Sequence, residues 1–239
     1  MTHATIQVGD LAIQVTKKAV KNVHLSVHPP DGRVTLVTPS ATRLEVARAY
    51  AVSKLGWIRR QQRTLAEQAR ETPRQFVRRE SHHVWGRRYL LNVVEREGRP
   101  SVTLDHRRIT LSVRPGSDQE SRQRTIHRWH KGLLHEAIPP LLEKWSSKLG
   151  ITVTGYFLQR MKTRWGSCNH AMRHVRFNTE LVKKPKDLLE YVVVHELIHL
   201  IEATHSERFV TILQQHYPNW REARTELNEL PLAAEIWRE

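Results

Sequence analysis

Residues 186–209 constrain this chain more than any other stretch. Tyr191-Val192-Val193-Val194 leads into His195-Glu196-Leu197-Ile198-His199 and on to Leu200-Ile201. This run is apolar around most of a helical circumference, and a helix of that kind is buried. Two His and a Glu inside a buried helix are costly unless they are coordinated or hydrogen-bonded. Positions i and i+4 share a helix face, about 6 Å apart along the axis. His195 and His199 can therefore aim two imidazoles at one ion, with Glu196 beside it as a general base. That H-E-x-x-H spacing is a zinc-site signature of metal-assisted hydrolysis. The competing reading is a hydrogen-bonded core pair in a chain that holds 15 His among 239 residues.

His205 strengthens the metal reading. A helix cannot return the position six beyond His199 to the same face, so the chain must turn, and Ala203-Thr204 is the expected place. Three His ligands leave a fourth position open, which is a catalytic rather than a structural arrangement. The metzincin pattern has a Gly where Glu202 stands here, so the chain is not read as a metzincin. Glu202 itself is read as a helix-end surface residue rather than as a carboxylate orienting His205.

Composition adds a partner class. The net charge is +15 and the pI near 10.5. A balance this basic implies polyanionic company such as nucleic acid, nucleotides or an acidic protein surface. Residues 57–99 hold eleven Arg against five Glu, with Trp57, Phe76, Trp85 and Tyr89 interleaved. That mixture suits a nucleic-acid face, but a solvated surface over ordinary core aromatics fits equally well. The single Cys168 rules out an intrachain disulfide and points to a reducing cytoplasm. It is read as a small buried side chain rather than a nucleophile or ligand. The N-terminus lacks a basic-then-apolar signal pattern, and no apolar run reaches the roughly 18 residues of a membrane span.

Along the chain, Thr5–Val8, Leu11–Thr16, Val23–His28 and Arg33–Thr38 alternate like strands, with turns at Gly9-Asp10 and Pro30-Asp31-Gly32. Thr42 with Glu45 reads as a capping box opening one helix to about Arg70. His82–Trp85, Arg88–Val94, Ser101–Asp105 and Arg108–Val113 form a second strand group. A boundary is expected at Pro115–Asp118, giving a strand-rich region over 1–116 and a second domain over 117–239. A helix over 119–149 should kink or break at Pro139-Pro140 and end at Gly150. Strands are expected at Thr152–Met161 and His174–Asn178, helices at 186–202 and 206–216, and another from Trp220. No internal repeat is visible.

Three motifs taken in order carry a resemblance: Arg164-Trp165-Gly166-Ser167-Cys168, Arg176-Phe177-Asn178-Thr179-Glu180-Leu181, and the run from His195 to Phe209. Together they resemble the YgjP-like metallopeptidases, a group similar to the SprT-like and minigluzincin zinc proteases. The resemblance implies an α+β protein in which a strand-rich N-terminal part precedes a compact zincin-like domain. It implies one Zn2+ at His195, His199 and His205, with Glu196 as base. It also implies a peptide or protein substrate paired with a sheet edge, with substrate roles for Trp165 and Asn178. Arg164, Arg176, His216 and Tyr217 are the candidate donors to a developing oxyanion, and the two arginines join the substrate-binding set. The alternatives are a metal-dependent nucleoside triphosphate pyrophosphatase, which the basic charge would suit, and a nucleic-acid-associated SprT-like module. Against the first, there is no Gly-rich phosphate loop and no carboxylate cluster for magnesium.

Overall fold

The computed structural model describes residues 2–28, 32–67, 74–161 and 164–229. The expected turn residues Pro30-Asp31 and the pair Lys162-Thr163 lie outside them. The chain forms a mixed α+β fold that divides into two compact units, Met1–Ala69 and Arg70–Glu235.

In the first unit, β1 (Thr2–Val8), β2 (Leu11–Lys18), β3 (His24–His28) and β4 (Arg33–Pro39) form a sheet of order β1-β2-β4-β3. The central β2/β4 pair is parallel and the outer pairs are antiparallel. Alternation buries Ile6, Val8, Leu11, Ile13, Val15, Val34 and Leu36 on one face. Ala47, Ala51 and Ile58 from α1 (Leu44–Ser53) and α2 (Leu55–Glu67) complete that core. The expected single helix is thus two, divided at Lys54. The capping box does not form. The Thr42 amide still donates to the Pro39 carbonyl, 3.0 Å, so the chain is turning there. The helix opens one residue later, from Arg43, and Glu45 loses the three-residue spacing to its cap.

The second unit begins with a sheet of the same design. β5 (Ser81–Val84), β6 (Arg87–Glu95), β7 (Ser101–Leu104) and β8 (Arg108–Val113) run in the order β5-β6-β8-β7, again with a parallel central pair. A helix follows each sheet. This topological repeat is invisible in the sequence because what it shares is a pattern of alternation rather than residue identities. α3 (Gln119–Leu149) starts on Asp118, whose carboxylate accepts from the Ser121 amide at 2.7 Å, and ends on left-handed Gly150. It continues through Pro139-Pro140 instead of breaking. Both prolines are exposed, as are His135 and Glu136, whose carbonyls they leave unpaired, so water replaces the missing helical bonds.

Phe76, Leu91, Ile109, Leu111 and Ile126 form one core cluster, which fastens the second sheet to the start of α3. The expected boundary at 116 therefore falls inside a compact unit. The rest of this unit holds β9 (Gly155–Gln159), β10 (Gly166–Asn169) and β11 (His174–Asn178), in the order β10-β11-β9. A 3-10 turn (Thr179–Lys183), α4 (Lys186–Ile198), α5 (Glu207–His216) and α6 (Trp220–Glu229) follow. α4 buries Leu188, Leu189 and Tyr191 to Val194, and again Glu196, Leu197 and Ile198, with its apolar side chains packed in one core with Leu134, Ile138 and Trp145 of α3.

Candidate metal centre

α4 is apolar on nearly all sides because it is packed nearly all round, and the side it leaves open carries the chemistry. Tyr191, His195 and His199 recur every four residues and line one groove with Glu196. His199 caps the C-terminus of α4, and the chain then turns. That turn returns His205 to the groove just before Ser206 caps α5 by accepting from the Phe209 amide. One ligand nitrogen from each of His195, His199 and His205 lies within 4.8 Å of the others. The Nε2 atoms of His195 and His205 are 2.9 Å apart. The His199 Nδ1 donates to the Glu202 carbonyl at 3.1 Å, which fixes the tautomer and frees Nε2. The Glu202 carboxylate instead accepts from Thr204 and takes no part. So Glu202 orients a ligand-type His through its backbone.

Electrostatics favour unprotonated imidazoles. Burial, then His199 and His205, push the His195 pKa down to about 3. Burial also lowers that of His199. Glu196 is buried, and its pKa is pushed up to about 8 by desolvation, with Arg164 opposing the shift. Its carboxylate lies against β10 at a position with no side chain. A Cβ on Gly166 would sit 2.5 Å from Glu196 Oε1. Three nitrogen donors converging on one point, beside a carboxylate, suit a divalent ion of the zinc class.

The remaining expected site residues separate. Arg164 and Trp165 line the groove, on the segment leading into β10. Asn178 does not line it. Asn178 is buried, and its Nδ2 donates to the carbonyls of Met161 and Arg164, both at 2.8 Å. It therefore holds the segment that carries Arg164 and Trp165. Arg176 sits between buried Val175 and Phe177 on β11, on the sheet face turned away from that core, and is absent from the groove lining. The Tyr217 hydroxyl donates to the Asp187 carbonyl at 3.1 Å, and burial pushes its pKa up to about 12. Neither Tyr217 nor His216 lines the groove. Cys168 does line it, with its thiol pushed up to about 11 by burial and by Glu196. That is opposite to what a thiolate nucleophile needs. Sequence reasoning missed Tyr191, Phe209, Trp220 and Arg224, all of which line the groove. Tyr191 was legible as the residue four before His195. The other three depend on how α5 and α6 pack.

The groove has a volume of about 850 Å³. β10 and the segment before it form one wall, α4 the floor, and α5 with α6 the other wall. Among the described residues β10 pairs only with β11, which leaves its second edge unpaired. No helix among the described residues is long and apolar enough to cross a membrane.

Among solved structures, similarity is found to the metallopeptidase zymogen of Pyrococcus abyssi abylysin. It has 19% identity and covers 37% of this chain and 89% of that one, with a TM-score of 0.35. The metallopeptidase zymogen of Methanocaldococcus jannaschii jannalysin is similar at 21% identity, covering 38% and 87%, with a TM-score of 0.34. No curated protein sequence matches significantly. The profile of the YgjP-like metallopeptidase domain matches residues 21–230, most of the chain, and the protein belongs to that family.

Proposed function

We propose that the protein is a zinc peptidase of the H-E-x-x-H type, with a zincin-like catalytic part within residues 117–239 and α4 as its active-site helix. His195, His199 and His205 would hold one Zn2+. The observation that carries this reading is the convergence of those three imidazoles beside Glu196 in an open groove. A bound ion of this kind supplies Lewis-acid polarisation of the scissile carbonyl and lowers the pKa of water. Glu196 takes the proton from the attacking water at its carboxylate and returns it to the leaving amine. The bare backbone at Gly166 lets that carboxylate lie against β10. The free edge of β10 offers main-chain groups to an extended peptide. Arg164, on the same wall, is the cation from the expected set that is placed to steady a developing oxyanion. Trp165 contributes an apolar rim, and Asn178 positions both.

Glu196→Gln tests the reading. The variant is expected to retain one zinc ion per chain and lose hydrolysis of casein and peptides, and chelation of the wild type should abolish turnover until zinc is restored. A wild-type rate in Glu196→Gln, or a chain that takes up no divalent ion, ends the assignment. Hydrolysis of nucleoside triphosphates has weaker support, because Glu196 is the one carboxylate lining the groove among the described residues, too few to hold magnesium against a polyphosphate.

A further inference from the structure

The groove carries two arginines, and the hydrolytic chemistry proposed above gives Arg164 an oxyanion role and Arg224 none. Arg164 approaches from the β10 side and acts electrostatically on Glu196. Arg224 approaches from α6 and acts on His195 and Tyr191. Glu196 is the one carboxylate lining the groove among the described residues. Both arginines are exposed, and neither has a carboxylate within ion-pair distance among the described residues.

Their placement is built rather than incidental. Trp220, Ala223 and Leu227 bury one side of α6, and Arg224 follows Trp220 by four residues on the flank beside the groove. The neighbouring Arg221 is engaged elsewhere. It stacks on Trp220 at 4.5 Å and donates to Gln214 at 2.6 Å. Arg164 is anchored through its carbonyl by Asn178, leaving its guanidinium to face the groove. Between the two walls, Val192, Phe209 and Leu213 offer an apolar bed. Two cations on different walls, an apolar bed and a strand edge unpaired among the described residues fit an extended chain bearing carboxylates.

Resting on the peptidase reading, we propose that Arg164 and Arg224 make this enzyme selective for acidic peptides, binding substrate carboxylates from the two walls of the groove. Arg164 and Arg224 are specificity-determining residues, and the guanidinium forks match carboxylate geometry in a way that a lysine would not.

The test uses zinc-loaded, full-length Glu196→Gln protein and fluorescein-labelled peptides. One peptide carries Asp and Glu on both sides of its centre, a second carries Asn and Gln there, and a third carries Lys. The acidic peptide should bind about tenfold or more tighter than its amide counterpart at low salt, with the margin shrinking as salt rises. Arg224→Glu and Arg164→Glu should each erase that margin and shift preference to the Lys peptide, because like charges now face each other. Arg128→Glu, on an exposed part of α3, changes net charge equally and should leave the ratio at the parent value. Equal binding of acidic and amide peptides overturns the proposal. So does an acidic preference that survives both charge reversals. The peptidase reading fails separately, through a zinc-loaded wild type that cleaves none of the three peptides. A nucleoside triphosphate that displaces the acidic peptide and is itself hydrolysed overturns both.

Discussion

At the level of single residues, the site depends as much on a missing side chain as on those present. Gly166 was legible as part of a motif, but its purpose was not, because only the fold brings it under Glu196. A methyl group there would meet the carboxylate at 2.5 Å. Glu196 is a flexible side chain and can move aside, so Gly166→Ala should cost at most about 2 kcal/mol of stability. The displaced base is another matter, and misplacement on the scale of 1 Å can cost about a hundredfold in rate. The expected result is a folded, zinc-binding variant with kcat down about a hundredfold, measured beside its thermal melt. Asn178 shows the reverse error. The sequence marked it as polar and near the site, yet its amide is spent on backbone carbonyls. His130 was not legible at all. It is buried in α3, its Nε2 has no hydrogen-bond partner among the described residues, and burial first, then Lys183, His127 and His82, hold its pKa well below the ordinary 6.5. Its proton affinity is therefore higher in the unfolded chain, so stability is full above about pH 6.5 and declines as pH falls below it. His130→Leu removes both the orphaned nitrogen and the titration. The variant should match or exceed the wild type at pH 7.5, and its advantage should grow by up to about 1.4 kcal/mol per pH unit below 6.5. Urea midpoints at pH 7.5 and 5.5 check this, and parallel acid limbs would refute it.

At the level of elements, strands and helices were largely legible from alternation and capping, while β10 and the 3-10 turn were not. β10 is four residues rich in small and polar side chains, and only pairing with β11 makes it a strand. The hairpin turns carry a sharper lesson. Gly9 and Gly86 occupy matching two-residue turns in the two sheets, at φ 60° and 76°. Beside Gly9 a Cβ would meet nothing within 4 Å, whereas at Gly86 it would meet Pro185 Cγ at 2.9 Å. The Trp85 and Gly86 amides donate to Val182 and Lys183 carbonyls, at 2.7 and 3.2 Å, so this turn docks beside the start of α4. Trp85 accepts a left-handed φ of 50° there, held by those bonds and by packing against two core clusters. Gly9→Ala should therefore cost about 1 kcal/mol, the left-handed penalty alone. Gly86→Ala should cost about 3 kcal/mol or more, because strain and a collision with a rigid ring add. Denaturant titration of the pair decides it, and equal losses would show that the contact with Pro185 carries no weight.

At the level of the whole molecule, the three His ligand positions were legible because helix geometry and a six-residue step can be read without a structure. The division of the chain was not. The boundary signal at Pro115–Asp118 marks the end of a strand group and the N-cap of α3, a local event that looks like a linker in sequence. Long-range packing decides otherwise, since Ile126 and Trp129 of α3 belong to the cluster that backs β6 and β8. The two sheets share a strand order yet differ in what covers them. The first closes over α1 and α2 within its own residues, with Ile13, Leu36, Ala51 and Ile58 fully buried. The second joins the core that supports the His cluster, through Trp85 and Leu133, which touch both of that unit's clusters. If these cores are self-sufficient, residues 70–239 carry everything the metal centre needs, whereas residues 117–239 would expose Ile126 and lose the turn that docks beside the start of α4. The fragment 70–239 is expected to melt cooperatively, bind one zinc ion and cleave short peptides within about threefold of the full chain. The fragment 117–239 should fail to melt cooperatively. Calorimetry and metal content on both fragments settle the matter. A 70–239 fragment that is unfolded would show that its core is not self-sufficient, and a 117–239 fragment as stable as the parent would show that the contacts of residues 70–116 do not govern the fold.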